Sequence, residues 1–161
     1  MNPNDHVGDT IACPVCGGRD FARLFEQAGE SFVRCVNCTL MLINPPPSGD
    51  DTAATYDEHY SDGYIRKADK KLKRCRGWVR RVQDYPGASF DVISMYDVIE
   101  HVPDLNQLVA ELHRLLRDRG IIEIRTPNVA HWRNPADLST WKEVKPSEHL
   151  YYFDARTLER L

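Results

Sequence analysis

The chain has no apolar run approaching the ~20 residues that a bilayer-spanning helix needs, and its start, Met-Asn-Pro-Asn-Asp-His, is too polar for a secretory leader. Membrane insertion and export are therefore not expected, and a reducing, cytoplasmic compartment is. Surplus positive charge is missing too: 21 Lys and Arg against 24 Asp and Glu leave a net charge of −3, which argues against a chain built as a whole to bind a polyanion. Composition also excludes a disordered protein, since 42% of residues are apolar and 28% charged, the balance of a soluble globular chain. Cysteine is scarce, with five among 161 residues, yet four of the five fall in two pairs.

Those pairs are Cys13-Pro-Val-Cys16 and Cys35-Val-Asn-Cys38, separated by eighteen residues. Each Cys-x-x-Cys turn presents two sulfurs on one knuckle, and the intervening length suffices for a hairpin that returns the second knuckle to the first. A redox dithiol would be one pair beside a strand-helix-strand pattern, and a disulfide framework belongs to an oxidising compartment. The spacing points instead to one tetrahedral zinc held by Cys13, Cys16, Cys35 and Cys38 in a zinc ribbon over residues 11–43. Closed four-cysteine sites leave no position for water, so this metal serves folding rather than chemistry. Cys75 has no partner in sequence and reads as a half-buried thiol.

Three prolines and a glycine in Asn44-Pro45-Pro46-Pro47-Ser48-Gly49 end the ribbon and begin a linker over 44–65 with a short helix near 51–60. Residues 66–81 then hold nine basic residues and one acid, a local charge of +8. Leu72, Cys75, Val79 and Val82 recur there at helical spacing, so the basic residues are a solvated helix face or a phosphate-binding surface. Phe90-Asp91-Val92-Ile93-Ser94-Met95 has the character of a strand, and Asp104 with Gln107 resembles a capping box opening a helix. Leu105, Leu108, Val109, Leu112, Leu115 and Leu116 form the apolar stripe of that helix, and Gly120 stops it. Ile121-Ile122-Glu123-Ile124-Arg125 follows as a second strand, closed by Thr126-Pro127-Asn128. Strand, helix and strand make a βαβ unit with parallel strands. Ligands of such sheets bind beyond the carboxyl ends of the strands, which is where Tyr96-Asp97-Val98-Ile99-Glu100-His101 lies. Asp97, Glu100 and His101 can hold a metal, act as a base or orient a hydroxyl; equally, Glu100 and His101 can simply hydrogen-bond the loop and cap the next helix.

The string from Ser89 to Asp104, the helix after it, Gly120-Ile121-Ile122-Glu123-Ile124 and Thr126-Pro127-Asn128 resemble the fourth through fifth strands of class I S-adenosylmethionine-dependent methyltransferases, closest to the group of ubiquinone-biosynthesis O-methyltransferases. Glu148-His149-Leu150-Tyr151-Tyr152-Phe153 with Thr157-Leu158 is similar to a segment of bacterial members, some of which also begin with a zinc ribbon. The resemblance implies an α/β, Rossmann-like methyltransferase domain over 66–161 behind a small zinc ribbon over 1–43. It implies S-adenosylmethionine as cofactor and a small-molecule acceptor methylated at oxygen. Met95 and Tyr96 would then touch the cofactor, Asp97, Glu100 and His101 would face the acceptor, and His101 would be the first choice of base, with His149 the second.

One part of that pattern is missing. A glycine-rich turn and an acidic residue for the ribose hydroxyls are expected before Phe90, but Val82 runs straight into Gln83-Asp84-Tyr85-Pro86-Gly87-Ala88. The last strands of the domain are expected beyond Leu161. Either the protein carries a segment near 82–84 that this sequence closes over, or the chain is a shortened form unable to hold cofactor unaided; an intact mass near 18.5 kDa would refute the first. Two other functions remain open. The ribbon and the 66–81 basic helix could form a nucleic-acid or protein contact, although Arg19, Arg23 and Arg34 are the ribbon's scattered basic residues; or the chain is an inactive scaffold. Trp132, Trp141, Tyr151, Tyr152 and Phe153 would line a pocket or belong to the core.

Overall fold

The computed structural model describes residues 10–47, 84–146 and 148–161. The basic run at 66–81, the short helix near 51–60 and Cys75 lie outside the described residues. No helix among the described residues is long and apolar enough to cross a membrane.

Strands β1 (Phe21–Gln27), β2 (Glu30–Cys35) and β3 (Met41–Ile43) form an antiparallel sheet. Its first hairpin turns at Ala28 and Gly29, both at positive φ, where glycine is at home. A two-residue strand from much later in the chain, Tyr151–Tyr152, pairs with β3 and completes the order β1-β2-β3-β6. Alternation along these strands sends side chains to two separate cores. One face carries Val33, Cys35, Leu42 and Tyr151 against Ile99, Leu105 and Phe153. The other carries Phe32, Met41, Ile43 and Tyr152 against Trp141 and Val144. The aromatic residues Trp141, Tyr151, Tyr152 and Phe153 are thus core, while Trp132 is 80% exposed.

The second sheet is the expected βαβ unit. Strand β4 (Phe90–Tyr96) runs parallel to β5 (Leu116–Arg125), with helix α1 (Leu105–Leu115) between them. Asp104 starts α1 by accepting a hydrogen bond from the Gln107 N–H at 2.9 Å, and Leu105, Leu112 and Leu115 are its buried face. The helix ends at Leu115, before the expected stop at Gly120, because Leu116 is already extended and pairs with Phe90. The register then slips between Phe90 and Val92, and Arg119 at φ 62° absorbs the extra residues as a bulge. Gly120 serves a close approach here: a Cβ on it would lie 2.6 Å from Leu116 Cγ.

Side chains on this sheet sort by face. Met95 and Ile124 are a paired couple turned inward, whereas the paired Val92 and Ile121 stand exposed on the opposite face. Parallel sheets are ordinarily covered on both sides.

Helix α2 (Ala155–Leu158) follows β6 and is held by a reciprocal cap: the Thr157 N–H donates to Asp154 Oδ1 and the Asp154 N–H to Thr157 Oγ1, both at 2.8 Å. Asp154→Ala is expected to cost about 1 kcal/mol and to lower Tm by ~2–4 °C in a thermal melt. An unchanged melt would show that the cap is redundant.

Candidate functional site

Two clusters of metal-ligating side chains stand out among the described residues. In the first, Sγ atoms of Cys13, Cys16, Cys35 and Cys38 all lie within 4.8 Å of one another. The Cys13–Cys38 and Cys16–Cys35 sulfurs are 3.4 and 3.5 Å apart, close to the ~3.8 Å that ~2.3 Å zinc–sulfur bonds set at tetrahedral angles. Both pairs are built alike. Gly17 N–H donates to the Cys13 carbonyl and Thr39 N–H to the Cys35 carbonyl, while Cys13 and Cys35 N–H groups donate to Gly18 and Leu40. The residue after each pair's second cysteine turns left-handed, Gly17 at φ 70° and Thr39 at φ 69°. Burial pushes the Cys13 and Cys38 thiols up. Burial acts in the same direction on exposed Cys16, but the Gly18 N–H and the neighbouring thiols outweigh it and bring that thiol down. Four sulfurs so disposed are compatible with one zinc ion, whose charge would offset the cost of burying thiolates.

The second cluster is Glu100, His101 and His149, each offering a ligand atom within 4.8 Å of the others. Glu100 and His101 sit on the single helical turn Ile99–His101, just past the end of β4. His149 arrives from the segment leading into β6. Leu150 joins them: its N–H donates to the Glu100 carbonyl at 2.8 Å, and its own carbonyl accepts from the Ile43 N–H in β3 at 3.1 Å. His101 Nδ1 is 2.7 Å from the Glu148 carbonyl, and His149 Nδ1 is 2.9 Å from the Glu143 carbonyl. A carbonyl only accepts, so both Nδ1 atoms carry protons, and in the neutral ring the lone pair is then on Nε2. The rings meet edge to face at 4.6 Å. Burial, then His101 and Lys145, hold the His149 imidazole below its ordinary value. Glu100 is 1% exposed; its Oε2 accepts from the Thr126 hydroxyl at 3.0 Å, and its Oε1 meets no donor among the described residues.

Other expected site residues lie apart. Asp97, left-handed at φ 52°, bonds Arg125 at 2.8 Å and stands outside the cluster. The Tyr96 hydroxyl donates to Glu123 at 2.6 Å, with the Arg125 guanidinium 5.6 Å from the ring centre. That bond to Glu123 raises the Tyr96 hydroxyl and lowers the Glu123 carboxyl. Met95 is buried. A cavity of about 690 Å³ opens against α1 and β5, lined by Val109, Leu112, Ile122, Ile124 and Leu158 among others, and none of the Glu100 cluster is in its wall. Sequence reasoning missed Thr126, Glu143 and Leu150 as supports of the cluster; only the three-dimensional path brings them there.

The family model described as "Methyltransferase domain" matches residues 15–161. The chain belongs to this methyltransferase domain family. A probable S-adenosylmethionine-dependent methyltransferase of Mycolicibacterium smegmatis is 46% identical over 43 residues, a stretch that is 27% of this chain and 17% of that protein. No solved structure matches the chain. For the family's cofactor, the described residues fit only in part. The loop after β4 and a polar cluster beside it are present, but the described residues include no glycine-rich turn, and the Tyr96 hydroxyl is already committed to Glu123.

Proposed function

We propose that the chain takes part in methyl transfer from S-adenosylmethionine to an oxygen of a small-molecule acceptor, with Glu100, His101 and His149 on the acceptor side. The observation that carries this reading is the meeting of those three side chains just past the C-terminal end of β4, in a chain of the methyltransferase family. S-adenosylmethionine supplies, when bound, a methyl group already activated by its sulfonium. The chain's own residues are left to orient the acceptor and manage its proton. His101 is exposed, and its Nδ1 proton is anchored to the Glu148 carbonyl, so Nε2 is the nitrogen free to accept an acceptor O–H. His149 and Glu100, buried beside it, fix the ring and offer further lone pairs to the same point.

The same proposal includes one structural zinc per chain, bound by Cys13, Cys16, Cys35 and Cys38 in a ribbon. Four closely packed thiolates suit a reducing cytoplasm. Titration calorimetry with S-adenosylhomocysteine tests the cofactor. Heat with one-to-one stoichiometry is expected, and silence from a folded, zinc-loaded sample would replace methyl transfer with the inactive-scaffold reading.

A further inference from the structure

We infer that Tyr151 and Tyr152, neighbours in β6, are positioning residues for His101 and His149, one tyrosine for each ring, and that the four-cysteine ribbon is the seat from which both act. Adjacent residues of a strand point to opposite faces. Tyr151 enters the core that holds Cys13, Cys35 and Cys38 together with Ile99 and Leu105. Its hydroxyl donates at 3.1 Å to the carbonyl of Pro103, which follows His101 closely in the chain. Tyr152 enters the other core, with Phe32, Met41, Trp141 and Val144. Its hydroxyl accepts from the Lys145 N–H at 3.2 Å, and its ring centre lies 6.0 Å from that of His149. The segment so braced supplies the Glu143 carbonyl that meets His149 Nδ1.

The main chain repeats the link, since Leu150, between His149 and Tyr151, ties Ile43 of β3 to Glu100. Strand β6 has two residues and β3 three, too few to pair stably by themselves. Their placement therefore depends on the sheet that the cysteine knuckles close, with Cys35 ending β2 and Cys38 just ahead of β3. What the two braces protect is the tautomer. A carbonyl that drifts from Nδ1 frees the proton to either ring nitrogen, and Nε2 then loses the lone pair that an acceptor hydroxyl needs. The positioning role rests on the acceptor-side reading of the two histidines, and its dependence on zinc rests on the ribbon.

Two-bond proton–nitrogen correlation spectra of the full chain, zinc-loaded and at a pH where both rings are neutral, read each tautomer. The Nδ1–H form is expected at His101 and at His149. Tyr151→Phe should raise the ratio of Nε2–H to Nδ1–H about fivefold at His101 alone, and Tyr152→Phe at His149 alone, one hydrogen bond being lost in each. Chelating the zinc should release both rings together, and returning it should restore them; if the zinc-free chain unfolds, the two phenylalanine variants decide. Tautomers unchanged in both variants, a ring that answers to the other tyrosine, or an Nε2–H form already dominant in the wild type would overturn the inference. None of these spectra needs S-adenosylmethionine, and calorimetry with S-adenosylhomocysteine does not sense the tautomers, so the two readings fail separately.

Discussion

Cys35→Ser is expected to abolish stoichiometric zinc binding and to unfold the β1–β3 sheet. Cys35 is fully buried at the end of β2, and its sulfur lies 3.5 Å from that of Cys16. A serine hydroxyl there replaces a thiolate ligand with a poor one. Metal binding in small thiolate sites is itself folding free energy, about 10–16 kcal/mol in zinc-finger peptides, so losing one ligand removes a large share of what holds the sheet. The damage should spread, because Cys13, Cys35 and Cys38 share a core with Ile99, Leu105, Leu150 and Tyr151. Elemental analysis should fall from one zinc per chain to well below half, with loss of near-ultraviolet circular dichroism from the core aromatics. Full zinc content in the variant would contradict the ligand assignment.

His101→Gln is expected to reduce methyl transfer by roughly 10²–10⁴-fold, the usual contribution of a group that handles the proton at the reacting atom. The loss should appear in kcat while S-adenosylhomocysteine affinity holds, since the ring faces the acceptor side in the proposed arrangement. Its side chain is exposed and its anchor is a backbone carbonyl, so the fold should survive. A variant with unaltered kcat would remove His101 from the reaction, and a variant whose melt collapses would mark it as a structural ring.

How much of this could be read from residues alone depended on distance along the chain. The cysteine arithmetic is local in each knuckle and needs only one closing hairpin, so the four sulfurs that meet are the four that the spacing picked out. Asp104 capping α1 and the parallel β4–β5 pair were likewise legible, because each rests on a periodicity or a three-residue offset. The end of α1 was not: Gly120 looked like a stop signal, but pairing of Leu116 with Phe90 won over continued helix. Nor did periodicity show that Tyr151–Tyr152 would close a sheet begun more than a hundred residues earlier, the pairing that decides for core between the two readings of these aromatics. At the candidate site, Glu100 and His101 were legible from their place after a strand. Asp97, three residues from Glu100, looked equivalent but turned left-handed and paired with Arg125 instead. Leu150 gave no signal, since its part is played by backbone groups that every residue has.

The late arrival of β6 has a consequence for biogenesis. During synthesis the amino-terminal hairpins leave the ribosome long before Tyr151–Tyr152, so β3 waits with an open edge and the aromatic layer around Phe32 and Met41 waits half wet. Metal capture by the nascent knuckles would hold that intermediate together until the last stretch of polypeptide emerges. Cells starved of zinc should therefore lose this protein to aggregation at the stage of translation, before any mature molecule has formed.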